Sequence, residues 1–275
     1  MSKPVVIGFD GSAAADAAVQ HAAREAAQRD TELRLVHAFG WAVLLPPMTP
    51  PYDDSEHGPR AAALDLLDRT AHGVRGDWPQ LTVTTRLIDG SPGAVLVDAS
   101  RDAQLVAVGH RGIGGFAGLL AGSTAMQIAG HATCPVTVVR GTTRPENAPI
   151  VLGMDGSTHA FAAAEVAFAT AQRQGVELVL IYHDPTPSQT QPDAVTAQVE
   201  QLAQRFSDVK YRRDVAQGTT AATALIDAAD RWNAGMIIVG SRGRGGFRGL
   251  ITGSTSRALI EHANCPVTIA PAVAQ

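Results

Sequence analysis

The stretch Val108–Thr124 reads VGHRGIGGFAGLLAGST, and it returns at Val239–Thr255 as VGSRGRGGFRGLITGST. In each copy an apolar run, Leu105 to Val108 or Met236 to Val239, stops at a glycine. A second glycine follows after two residues, and Gly-Ser-Thr comes nine residues later. A strand that empties into a glycine-rich turn and then a helix start gathers bare backbone N–H groups and the positive end of a helix dipole, a combination that suits phosphate. Two copies in one chain imply two similar halves, each with such a site.

The glycines read as a built turn and not a tether, because strand and helix signals flank them on both sides. Gly109, Gly112, Gly114 and Gly115, with Gly240, Gly243, Gly245 and Gly246 in the second copy, permit close backbone approach. His110, Arg111 and Ile113 are interleaved with the first set, and Ser241, Arg242 and Arg244 with the second. Gly122, Ser123 and Thr124, like Gly253, Ser254 and Thr255, close the motif with hydroxyls that can donate to phosphate while starting a helix. Arg111 and Arg242 either neutralise phosphate or lie in solvent. Arg244 and Arg248 replace Ile113 and Ala117, so the second site is expected to hold polyphosphate more electrostatically. There is no GxxxxGK[ST] and no Lys in either loop, which excludes a P-loop NTPase.

Outward from the motif, strands and helices alternate. Pro4 to Phe9 reads as a buried strand ending at Asp10-Gly11-Ser12, with Ser12 as the cap of an Ala-rich helix. Strands at Leu33 to Ala38, Leu81 to Leu87, Leu105 to Val108 and Val136 to Val139 follow, with helices between. The order restarts at Ile150 to Met154 and Asp155-Gly156-Ser157, then Glu177 to His183, Val209 to Val215, Met236 to Gly240 and Val267 to Ala270. This pattern predicts an α/β fold of two doubly wound five-stranded parallel sheets, each in the order 3-2-1-4-5. The domains run 1–141 and 149–275, joined by the polar linker 141–148. The Pro-rich segment from Phe39 to Arg60 reads as a solvated loop.

In that strand order the exits of strands one and four are neighbours, so Asp10 and Asp155 stand beside the glycine loops. A carboxylate next to phosphate is repelled by about 1 to 4 kcal/mol. The conflict disappears if the Asp accepts ribose hydroxyls, or holds a divalent ion such as Mg²⁺ shared with phosphate oxygens. The other reading is an Asp that caps its own turn.

Composition narrows the function classes. The 275 residues carry a formal charge of −4, and Lys3 and Lys210 are the only lysines, which argues against a nucleic-acid partner. No leader is expected at the N-terminus, and no apolar run nears the roughly 20 residues of a membrane span, so a soluble cytoplasmic chain is expected. Cys134 and Cys265 stand at equivalent places before Pro-Val and read as small buried hydrophobes, with a disulfide as the alternative. No HExxH or GxSxG is present, and nothing cationic is placed to assist γ-phosphate transfer. Binding is therefore expected over turnover. Slow ATP hydrolysis, adenylyl transfer and a nucleotide-free scaffold remain alternatives.

The pattern G-x2-G-x9-G-[ST] after a strand, an N-terminal VxGxDGS and a terminal C-P-V strand together resemble the ATP-binding class of the universal stress protein family. The likeness covers the chain twice, in the tandem form common in actinobacteria. It implies ATP across the ends of strands one and four of each half, with Asp10 and Asp155 near ribose or metal and the Gly8 and Gly153 backbones near the nucleoside. Ala38 and His183 would meet adenine. Gly109 to Gly115 and Gly240 to Gly246 would wrap ribose and phosphates, and Gly122 to Thr124 and Gly253 to Thr255 would close on the phosphates. The resemblance also implies pairing of the halves through their last strands and a homodimer of whole chains. Two positions depart from the pattern: His110, where Ser is usual and Ser241 keeps it, and His183, where a small aliphatic residue is usual.

Overall fold

The run before Asp10 forms β1 (Val5–Gly8), whose first three residues are buried, as expected of a strand covered on both faces. In the computed structural model, residues 2–40, 58–114, 120–141, 144–183, 193–216, 220–243 and 252–271 are described. Most of the Pro-rich loop, at 41–57, lies outside them, as do Gly115, Arg244, Gly245, Gly246 and Arg248.

The chain divides into two compact units, 1–128 and 129–275. In the first, β1 leads to α1 (Ala13–Gln28), β2 (Leu33–Phe39), α2 (Pro59–Asp77), β3 (Val83–Asp89), α3 (Pro92–Ala99), β4 (Leu105–Gly109) and α4 (Ser123–His131), whose C-terminal end enters the second unit. The strands pair in parallel in the order β3-β2-β1-β4. Helix α1 packs on β1 and β4, α2 on β2 and β3, and α3 on β1 and β2. Small residues on α1, among them Ala15, Ala18, Ala22 and Ala26, are buried and let that helix lie close on the sheet.

The second unit holds β5 (Val136–Val139), β6 (Ile150–Met154), α5 (Thr158–Gln174), β7 (Leu178–His183), α6 (Asp193–Arg205), β8 (Tyr211–Ala216), α7 (Ala221–Arg231), β9 (Met236–Gly240), α8 (Ser254–His262) and β10 (Val267–Ala270). Its order is β8-β7-β6-β9-β10, the winding predicted from the sequence, with β5 added beyond β10. Each repeat thus keeps its five strands in the expected order, and the β5–β10 pair is antiparallel. Phe168, fully buried on α5, anchors its core and stacks on Phe206 at 5.8 Å.

Strand β5 is the last strand of the first repeat, as the expected order has it, and it pairs with β10, the last strand of the second, the pairing of last strands that the resemblance implied. Thr268 faces Thr137 in the ladder, and their hydroxyls bond at 2.8 Å in a buried position. These two threonines occupy the same place in the two repeats. Continuing the register sets Cys134 opposite position 271 and Cys265 opposite Arg140. The two thiols are then about six residues apart along the ladder, roughly 20 Å at a strand rise of about 3.3 Å per residue. That separation rules out a disulfide between them. Both are buried, and burial pushes the Cys265 thiol up to about 12.

Candidate functional site

Each repeat brings its first and fourth strand exits together. Gly11 and Gly156 turn the chain after the Asp with φ of +81° and +76°, a left-handed geometry that glycine adopts without a Cβ penalty. Asp10 Oδ1 accepts from Ser12 N at 3.0 Å, and Asp155 Oδ1 from Ser157 N at 2.9 Å. The self-capping reading of these carboxylates is thus realised on one oxygen. The other oxygen faces the glycine loop: Asp10 Oδ2 accepts from Ile113 N at 3.0 Å. Ser12 adds a second stitch, its Oγ donating to Arg111 O at 3.3 Å while accepting from Ala15 N as the helix cap.

Close approach fixes two glycines in each loop. A Cβ on Gly112 would press into Asp10 Oδ2, and one on Gly243 would sit 2.5 Å from Asp155 Oδ2. A Cβ on Gly109 would lie 2.6 Å from the Ala14 carbonyl carbon, and one on Gly240 the same distance from that of His159. The loops close on themselves through one backbone bond each, Gly122 N to His110 O at 2.8 Å and Gly253 N to Ser241 O at 2.9 Å. Strand exit and helix start are thereby held together in both repeats.

At the far end of each ring a helix begins. Ser123 opens α4 and Ser254 opens α8, and Gly253 at the α8 N-cap supplies no side-chain bond to the first turn. The leading N–H groups of α8 therefore have no cap from that residue. Ser123 and Ser254 are exposed, and Thr124 and Thr255 are half-buried. Arg111 and Arg242 are exposed, so they stand in solvent at the loop and not against the sheet.

Residues 1–140 and 146–271 each match the Universal stress protein family. The chain belongs to that family. A universal stress protein of Mycolicibacterium smegmatis is 33% identical over 285 residues, covering 96% of each chain. Another, from Mycobacterium tuberculosis, is 33% identical over 298 residues and covers 98% of this chain and 99% of its own. Among solved structures, a universal stress protein from Archaeoglobus fulgidus shares the fold with a TM-score of 0.79 at 20% identity, covering 98% of this chain and 97% of that one.

Within this universal stress protein the two sites differ at several positions. Ala38 and His183 occupy equivalent places near the ends of β2 and β7, both half-buried. Ala38 pairs in register with Ile88, and the next pair, Phe39 and Asp89, is bridged by Arg60, which stacks over Phe39 and bonds Asp89 at 2.6 Å. His183 pairs with position 216. Beside the loops, His159 stands where the first repeat has Ala14. Ser256 donates to Gly240 O at 2.9 Å, and Ala125 at the matching position has no hydroxyl to do so.

Gly8 and Gly153 have a packing reason of their own. A Cβ on Gly8 would lie 2.5 Å from Leu96 of α3, and one on Gly153 2.9 Å from Leu225 of α7. The sequence reading missed the bond from Asp10 to the Ile113 amide. Its only signal was that Asp-Gly-Ser recurs in step with the glycine motif.

Proposed function

We propose that this universal stress protein is a nucleotide-dependent stress regulator that binds ATP, one molecule per repeat. The supporting observation is that both repeats set a turn-capping Asp against a glycine loop tied back to a helix start, with Asp10 also bonded to the Ile113 amide in the first. That arrangement offers backbone donors to phosphates and a carboxylate edge to ribose hydroxyls.

Mg²⁺ fits as a shared ligand and not as a resident one. Among the described residues no three His, Cys, Asp or Glu side chains gather at one point. Asp10 already accepts two backbone N–H groups, so a divalent ion would draw one carboxylate oxygen from the protein and the rest from phosphate and water. The chemistry the ion supplies is charge neutralisation on the phosphates. The protein's part is to fix the ring, keep Asp10 and Asp155 oriented, and present the α4 and α8 amides.

Binding is favoured over turnover because Arg111 and Arg242 are exposed and neither loop carries a lysine to act on a γ-phosphate. ATP then acts by favouring one conformation or partner. A scaffold without nucleotide is the second reading, supported by the packing that accounts for Gly8, Gly109, Gly153 and Gly240. A dimer of whole chains would use surfaces other than β5 and β10, which are spent on each other. Among the described residues no helix is long and apolar enough to cross a membrane.

The deciding experiment denatures freshly purified protein and identifies released nucleotide by chromatography. Two equivalents of ATP per chain are expected. No nucleotide, together with no binding of added ATP and Mg²⁺, would overturn the reading in favour of the scaffold.

A further inference from the structure

Between α1 and α2 of the first unit runs a groove of about 410 Å³, lined by Asp16, Gln20, Thr70, Gly73, Val74 and Asp77. It lies on helices, away from the glycine loops. Gly73 sits inside α2, where glycine costs roughly 1 kcal/mol relative to alanine. A Cβ there would meet nothing within 4 Å, and neither would one on Gly76, one turn on. Nothing within the described residues therefore requires a bare backbone at Gly73. Asp16 and Asp77 face the same groove; Asp77 accepts one long bond from Gln20 at 3.4 Å, and neither carboxylate has an ion pair among the described residues.

The second repeat is an internal control. The shared turn after the helix, Trp78 N to Val74 O and Phe206 N to Leu202 O, aligns α2 with α6, and the caps Ser12 and Ser157 align α1 with α5. In this alignment Phe161 replaces Asp16, Glu165 replaces Gln20, Gln201 replaces Gly73 and Arg205 replaces Asp77. Arg205 bonds Glu165 at 2.9 Å across the gap, and Phe161 packs onto the core. One fold thus has this groove filled and charge-balanced in one repeat, and cleared, acidic and unbalanced in the other.

We propose that the α1–α2 groove of the first unit docks a basic segment of a protein partner. The segment lays small residues over Gly73 and sets a Lys or Arg between Asp16 and Asp77, where Arg205 supplies the equivalent charge from within the second unit. Charge complementarity specifies the partner's sign, and the exposed α2 backbone specifies a closely approaching chain.

The test uses the full-length protein and a phage-displayed library of random 16-residue peptides. The library is first depleted on the variant Q20E/G73Q/D77R, which installs the second repeat's filling, and then selected on the wild type. The expected pool is rich in Lys or Arg beside small residues, and its binding falls at least tenfold on D16N/D77N. Circular dichroism and thermal midpoint confirm that both variants are folded. No enrichment after depletion, enrichment without basic residues, or binding that survives D16N/D77N would each overturn the proposal. So would full displacement of the selected peptides by submillimolar spermidine, which would assign the groove to a small polycation.

Discussion

Asp10 Oδ2 accepts a hydrogen bond from Ile113 N at 3.0 Å, so a carboxylate at the exit of β1 holds the loop that leaves β4. The same carboxylate caps its own turn through Ser12 N. Replacing Asp10 with Ala releases two backbone donors at once. Titration with ATP should show at least tenfold weaker binding at one of the two sites, and denaturant unfolding should show a loss of about 1 to 3 kcal/mol. Asp10→Asn keeps an acceptor for one amide and should fall between.

Gly112 offers a test confined to the first repeat. Gly112→Val forces a branched side chain onto Asp10 Oδ2 and should open the clasp. Released nucleotide should then drop from two equivalents per chain to one. Unchanged stoichiometry would show that loop closure and nucleotide binding are separate matters.

His21 predicts an acid-sensitive component of stability. Burial, then the nearby Arg24 and Arg29 charges, lower its value from 6.5 to about 4, and among the described residues its Nε2 has no hydrogen-bond partner. The unfolded chain therefore binds this proton first, and between those two values it holds more protons than the folded one. The contribution is fully present above about pH 6.5 and is lost as pH falls toward 4. His21→Val, which places the second repeat's Val166 residue there, should flatten the fall in urea midpoint between pH 7 and pH 4.

The Thr137–Thr268 pair should show strong coupling. Each single Thr→Val change leaves the other hydroxyl buried without this partner and should cost about 1 to 3 kcal/mol. The double variant removes both hydroxyls and should cost less than the sum. Additive losses in a double-mutant cycle would mean the bond contributes nothing to the pairing.

Burial of Cys134 and Cys265, with the Cys265 thiol pushed up to about 12, should make the thiols slow toward Ellman's reagent at pH 8. Two thiols per chain should react promptly once guanidinium unfolds the protein.

Much of this architecture was legible because it is carried by local pattern. Val5 to Gly8 is a short apolar run, Ser12 and Ser157 are caps, and the glycine motif marks where β4 and β9 end. Those signals, with right-handed winding, are enough to place β1 beside β4. The bonds that build the site were less legible. Ile113 N reaches Asp10 only after the whole first sheet has formed, and no periodicity encodes it. The β5–β10 pairing was legible only through the resemblance, since Val136 to Val139 reads by itself as an ordinary buried strand, whichever neighbours satisfy its backbone. The packing at Gly8 was also not legible, since a glycine that makes room for Leu96 looks in sequence like one that makes room for a ligand.

The antiparallel ladder between β5 and β10 also bears on what happens when the covalent chain is interrupted. A break in the chain anywhere between β5 and β6 would leave β5 on one fragment and β10 on the other, still joined by their backbone bonds and by Thr137 and Thr268. Such a nick would be silent on a sizing column and visible only on a denaturing gel. Two separately translated halves would meet through the same ladder, so fission of the gene would yield a heterodimer by fragment complementation.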